Sequence, residues 1–467
     1  FAIDSTALGG MYAGQISMIV NEAGAGVRVN GTMAANAGDM TLTADGRLVL
    51  NGTMAASGSV GVQAAGVDNT GTLQSGAETH LASSADIQNK GSVSAGQGLT
   101  VSGTSLTNNG VLTAAGKDGA SFVVAGDTRN SGNIGADQGP LSLQASSLTT
   151  EAGSKLASAG DMTVKIEKSV SNTGQISTAT GALRLTAASL ANRGQGFIGA
   201  GGDLAVSVGE YQGEAGSALK AETALTLVST GTVQNSGLIS TNADLNVTAA
   251  SLVNNGTLYG ATSTTVLADQ GVTNTAGQIG SGSGLLSVTA ADLENGSGKI
   301  IAQSGAIDLS AGSIENRAGV IQGQGDVVIS ARTLDNRQAG SVQSLGGSLT
   351  LGDGAGPMQD LLNQGGVLGA AQTLSLNTDA YESDASSQLT STGILTLVMA
   401  GTLDNGGTLS GDKGFDLTVG GFRNEASGIL AAKSGDGTLR VTGSDRVVNA
   451  GALETLTSDS LLSIESG

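Results

Sequence analysis

The sequence predicts an all-β chain wound as a parallel β-helix with coils of about 20 residues. Three observations carry that prediction. An asparagine–glycine phrase returns at nearly constant spacing, apolar residues ahead of it alternate with period two, and the composition excludes a conventional core. At 467 residues the chain is too long for one ordinary globular core, yet it has 76 glycines, 2 prolines, no cysteine, no tryptophan and 2 % aromatics. Disorder is not the answer either, because 39 % of the residues are hydrophobic and only 13 % are charged.

The phrase is plain in SLTNNGVLTAAG, Ser105 to Gly116, and SLVNNGTLYGAT, Ser251 to Thr262. Its anchors are Asn51, Asn69, Asn89, Asn108, Asn130, Asn172, Asn192, Asn235, Asn254, Asn274, Asn295, Asn316, Asn336, Asn405, Asn424 and Asn449. From Asn235 to Asn336 the steps are 19, 20, 21, 21 and 20 residues. Two gaps of double length hide degenerate copies, TTEAGSKL at Thr149 to Leu156 and EYQGEAGSAL at Glu210 to Leu219. A fixed period of this size is the mark of a solenoid.

Apolar positions lock to each anchor. Counting back 9, 7, 5 and 2 from Asn254 gives Leu245, Val247, Ala249 and Leu252; from Asn316 it gives Ile307, Leu309, Ala311 and Ile314. A second class sets the first three one residue further back, as in Met162, Val164, Ile166 and Val170 before Asn172. An aliphatic then follows the glycine, such as Leu112, Ile176 or Leu258. Period-two alternation means strand, so each repeat holds two or three short strands with glycine at the corners. About 20 residues are too few for a crossover helix between parallel strands, which leaves one coil per repeat. Coils ~4.8 Å apart would give a rod on the order of 100 Å long. Its narrow bore suits Ala, Val, Leu and Ile and disfavours large rings.

The anchors are read as a structural ladder: Asn108, Asn172, Asn192, Asn254, Asn295, Asn316, Asn336 and Asn424 stack coil on coil and bond amide to amide. Asparagine also tolerates the left-handed backbone expected at a corner.

The net charge of −19 argues against nucleic acid and an anionic membrane surface. No apolar run is long enough for a membrane-spanning helix, and a transmembrane barrel would need aromatic girdles. A long chain without cysteine fits the cytosol or a secreted protein exported unfolded. The start at Phe1, without initiator Met or signal peptide, and uncapped strand edges at Phe1 and Gly467 suggest a piece of a longer chain.

The leading segment FAIDSTALGGMYAGQISMIVNEAGAGVRVNG, Phe1 to Gly31, resembles the stretch ahead of the repeat array in filamentous haemagglutinin-like exoproteins of two-partner secretion. That family includes the effectors of contact-dependent growth inhibition. Lines such as SIENRAGVIQGQGD and SLANRGQGFIGAGGD are similar to its repeats. The resemblance covers essentially the whole chain and implies a right-handed parallel β-helix, secreted to the bacterial cell surface through an outer-membrane partner pore. It further implies a monomeric rod that extends receptor-binding or toxin modules, with a host or target-cell receptor or glycan as a further partner. Residues 1–467 are expected to form a single continuous β-helix: a leading segment at 1–31, repeats at 32–467, and an irregular insert near 351–390. The sequence contains neither a Val-Glu-Asn-Asn motif nor an Arg-Gly-Asp tripeptide.

Candidate chemistry is sparse. Glu294, Glu315 and Asp335 precede successive anchors and should form an outward column of carboxylates ~5 Å apart, near the separation of a retaining glycosidase pair. Arg317 and Arg337 beside them lower carboxylate pKa values, whereas a general acid needs its pKa raised, so a solvated ladder is the plainer reading. His80, the one histidine, excludes a multi-histidine metal site. No tandem calcium nonapeptide, no dinucleotide fingerprint and no flat threonine array occurs, so no cofactor is expected. Departures from the repeat remain as surface binding candidates. These are Leu351 to Gly366 with Pro357, Tyr381 to Leu389, and Gly194 to Gly216 with Phe197 and Tyr211. A polysaccharide-active enzyme or carbohydrate-binding segment is the alternative to a spacer.

Overall fold

The computed structural model describes residues 1–5, 9–354, 356–443, 447–455 and 460–466, with Ser466 described by its backbone alone. Ala7 and Leu8 of the leading segment, Ala355 of the insert and Gly467 lie outside the described residues. All the described regular elements are strands, and there is no α-helix among the described residues. The chain divides into two compact units, Phe1–Thr230 and Gly231–Gly467. Each is a parallel β-solenoid of coils of roughly 21 residues.

In the first unit a coil has three short strands, as in Met40–Ala44, Arg47–Leu50 and Thr53–Ala56. Each strand pairs in parallel with its counterparts one coil away, so Met40 lies between Ile16 and Val60. The leading segment belongs to the same stack: Ile3 pairs with Val27 and Met11 with Met33. In the second unit many coils have two strands, a long bent one such as Leu286–Glu294 and a short one such as Lys299–Ala302.

The spacing of apolar residues before the anchor explains much of that difference. With the longer spacing two residues link separate strands, as Glu167 and Lys168 do between Met162–Ile166 and Ser169–Asn172. One residue fewer leaves a single link, Ala65 or Thr104, or lets the strand run through, as in Leu183–Asn192 and Leu245–Asn254. Leu395–Asn405 has the longer spacing and still runs through, absorbing the extra residue in a register shift between Met399 and Thr402.

The interior is the aliphatic stripe. Leu245, Val247, Ala249, Leu252 and Leu258 are all buried in one coil, and each large one contributes about 1.5–3 kcal/mol. Two expectations need correction. Large rings are not excluded from the bore: Phe122, Phe415, Phe422, Tyr211 and Tyr381 are buried, five of the nine aromatic residues. Glycine gives some of them room, since a Cβ on Gly437 would strike the Phe415 ring. Nor do the anchors take up the left-handed backbone. That conformation falls two residues later, at Gly194, Ala276, Ser297, Ala318, Gln338 and Gly365.

Candidate functional site

From Asn69 to Asn424 each anchor is the last inward residue before a corner, and its side chain lies along the stack. Asn69 Nδ2 donates to Asn89 Oδ1, Asn89 to Asn108 and Asn108 to Asn130, at 2.7, 2.7 and 2.8 Å. Thr150 takes the next position and donates its hydroxyl to Asn172 Oδ1. Asn172 donates to Asn192 at 2.8 Å. In the second unit the amides run from Asn235 through Asn254, Asn274, Asn295, Asn316 and Asn336 to Asn363, every link 2.7 or 2.8 Å. A further run joins Asn405, Asn424 and Asn449. The amides are nearly or fully buried up to Asn424, and each second N–H reaches a backbone carbonyl, as Asn295 Nδ2 does to Gly298 O and Val320 O.

The backbone of the preceding coil and, at the wider corners, the column together explain the glycine after the anchor: at Gly71 and Gly110 a Cβ would strike Gly52 O and Gly91 O at 2.0 Å. A Cβ on Gly319 would come within 2.5 Å of Asn316 Oδ1, and one on Gly298 within 2.7 Å of Asn295 Oδ1. Asn51 is not in the column. Leu50 occupies that position, opposite Asn69, and exposed Asn51 bonds instead to Asn30 Oδ1 at 2.7 Å. Sequence reasoning missed Asn363, whose 27-residue step from Asn336 hides it. The signal was available in the buried Met358 and Leu361, 5 and 2 residues before it. The strands on either side of the insert are Leu349–Gly352 and Met358–Leu362.

Glu294, Glu315 and Asp335 do stack in register in adjacent coils. Asp335 accepts from Arg337 Nε at 2.9 Å and Nη2 at 2.7 Å, and from Arg317 Nε at 2.7 Å. Glu315 pairs with Arg317 at 3.4 Å, and Glu294 accepts from Thr273 Oγ1 at 3.3 Å. Partial burial alone would raise the Asp335 pKa, but the guanidinium hydrogen bonds outweigh it and hold the carboxyl at about 2. Such a group cannot serve as a general acid near neutral pH.

Tyr211 and Tyr381 were expected at the surface and are inside, at 2 % and 6 % exposure, because both sit at the inward position two residues before the column. Burial pushes the Tyr381 phenol up to about 12. His80 is exposed on a strand between Gly61 and Thr100. No cluster of metal-ligating side chains occurs among the described residues. Of the irregular zones, Gly194 to Gly216 borders a shallow groove of about 380 Å³, lined by Gln175, Ser177, Phe197, Gly199, Lys220 and Glu222 among others. Lys220 pairs with Glu222 at 3.3 Å, and Gln175 Nε2 donates to Ser177 Oγ at 2.9 Å. The outward positions of this sheet in the first unit, from Thr32 to Lys220, include Lys155 and Lys220 and no carboxylate.

A stack of parallel coils sealed by a buried amide column defines a structural β-solenoid repeat protein. The haemagglutinin repeat matches residues 2–52, 55–179, 178–237, 215–291, 281–354, 330–398 and 383–454, and the chain belongs to that family. It is similar to the tRNA nuclease CdiA-2 of Burkholderia pseudomallei, 27 % identical over 213 residues covering 35 % of this chain and 7 % of that protein. It is also similar to the toxin CdiA of Yersinia pestis, 44 % identical over 73 residues, 15 % of this chain and 2 % of that one. The tRNA nuclease CdiA of Escherichia coli is 42 % identical over 86 residues, 18 % of this chain and 3 % of that one. The chain thus spans less than a tenth of the length of these relatives. No solved structure matches it. The chain is a structural repeat segment of a secreted, cell-surface bacterial protein.

Proposed function

We propose that each unit is a stiff stack of coils and that the chain serves as a monomeric spacer holding receptor-binding or toxin modules of a longer protein away from the cell. The observation behind this reading is the parallel pairing of strands from coil to coil within each unit. The partner implied by the family is the outer-membrane pore of two-partner secretion, through which the parent protein leaves unfolded. The nuclease names of the relatives concern whole proteins of which this segment corresponds to a small part, and no catalytic role is proposed for it. Small-angle scattering of the purified chain tests the spacer. A constant cross-section set by one coil and no growth of the particle with concentration are expected, and a globular profile or self-association would overturn it.

A second reading, contact with a surface glycan, draws support from the Phe197 groove. An aromatic ring beside polar side chains, on a sheet whose outward strand positions carry no carboxylate and with Glu222 at the groove paired to Lys220, suits a sugar ring and its hydroxyls. Labelled chain would be added to target cells with and without competing glycans. Saturable binding that is competed and is lost in Phe197→Ala supports contact; no saturable binding leaves the spacer alone.

A further inference from the structure

The amide column is interrupted twice by the same device. In the coil after Asn192 the column position is Gly213, and in the coil after Asn363 it is Ser383, one past the Leu362–Glu382 pair. Asn192 Nδ2 keeps its bond to Ala218 O at 3.0 Å and Asn363 Nδ2 its bond to Gln388 O at 3.4 Å, as the other column amides do, but the amide link to the next coil is missing. Ser383 faces away, donating to Asp404 O at 3.1 Å and accepting from Gly406 N at 3.0 Å.

A tyrosine two residues earlier fills the vacated space in each case. A Cβ at position 213 would lie 2.6 Å from Tyr211 Oη, and that buried hydroxyl has no hydrogen-bond partner. The corner glycine that the amide demands is replaced by Ser217 and Ser387, which donate to Glu214 O at 2.7 Å and Asn363 O at 2.9 Å. The Thr150 coil is a milder case. It has the corner serine, Ser154, but Leu148 in place of tyrosine and a hydroxyl link to Asn172.

We propose that the Tyr211–Gly213 coil and the Tyr381–Ser383 coil are built-in opening points, where the solenoid parts first under load or in partial unfolding while the coils on either side stay wound. In a solenoid each coil is held only by its neighbours, so a local deficit produces a local opening. The deficit here is a missing buried amide link and, at Tyr211, a buried hydroxyl left unpaired. Since Gly213 lies 21 residues after Asn192, opening one coil frees roughly 70 Å of extended chain. A spacer built this way yields by fixed increments before it ruptures.

Hydrogen–deuterium exchange of the intact chain, resolved by peptide, tests this. Amides of Leu204–Gly213 and Leu374–Glu382 are expected to exchange about tenfold faster than those of Leu245–Asn254 and Leu286–Glu294. The triple variant Tyr211→Leu, Gly213→Asn, Ser217→Gly restores the column, and exchange in that coil alone should slow to the level of the others. The converse, Leu293→Tyr with Asn295→Gly and Gly298→Ser, should create a fast coil at 286–302. Equal exchange across the wild-type coils would overturn the proposal, as would a folded triple variant with unchanged exchange. If neither variant folds, the wild-type comparison decides.

Discussion

At the scale of single residues, the anchoring asparagine does two jobs that no other side chain combines. Its carbonyl accepts from the amide one coil back, and its two N–H groups reach the next amide and backbone carbonyls near the corner. Replacing it strands partners on both sides. Asn295→Ala should cost about 2–3 kcal/mol locally, read as faster exchange in the coils of Asn274 and Asn316 with distant coils unchanged. An opposite effect is expected at Ala318, held at φ 54° in left-handed backbone. Glycine removes the Cβ conflict there, so Ala318→Gly should stabilise by about 1 kcal/mol, seen as a higher denaturant midpoint. The column was legible in the sequence because the buried amide recurs at most coils, with only a few replaced by residues such as Thr150 and Gly213. Tyr211 and Tyr381 were misplaced because a lone aromatic in an irregular line reads as a surface feature. Only the register, which places them two residues before the column, shows them to be inward. Asn51 failed for the same reason in reverse: the phrase was present, but one residue past the inward position.

At the scale of the coil, period-two alternation fixed which residues face the bore, and burial of Leu245, Val247, Ala249 and Leu252 follows it residue for residue. The spacing classes foretell separate or fused strands imperfectly, because a strand can absorb an extra residue as a bulge, as at Met399. On the outer face, the stacked charges of Glu315, Asp335, Arg317 and Arg337 set a pH dependence. The folded pKa of Asp335, about 2, lies below the ~3.9 of a free aspartate. Its contribution is therefore complete above about pH 4 and is lost as pH falls toward 2. With partial solvent screening it amounts to about 1–2 kcal/mol. Asp335→Asn should thus lower the denaturant midpoint at pH 7, and the gap from wild type should close by pH 2. A gap that stays constant across that range would remove the ion-pair explanation. The stacking and the flanking arginines were legible, but not that Arg337 of its own coil and Arg317 of the coil before both hydrogen-bond to Asp335.

At the scale of the whole molecule, a solenoid folds by adding coils to an existing edge, each coil paired to the one before it. If the parent protein emerges unfolded through a pore, each coil that winds outside prevents its segment from sliding back, so winding would bias transport outward. That mechanism makes a specific demand on the amide column. A double variant, Asn295→Ala with Asn316→Ala, removes two adjacent rungs from the run joining Asn235 to Asn363 while leaving apolar alternation, length and charge intact. The parent protein with this change should pause in transport once the Asn295 coil is reached, and pulse-chase labelling should show slower appearance at the cell surface with an intermediate of fixed length. Asn51→Ala, at an exposed amide outside the column, should leave the rate unchanged. Equal rates for both, with hydrogen exchange showing that the double variant is opened at those coils, would mean that winding follows export without driving it. The column would then serve the stiffness of the finished spacer alone.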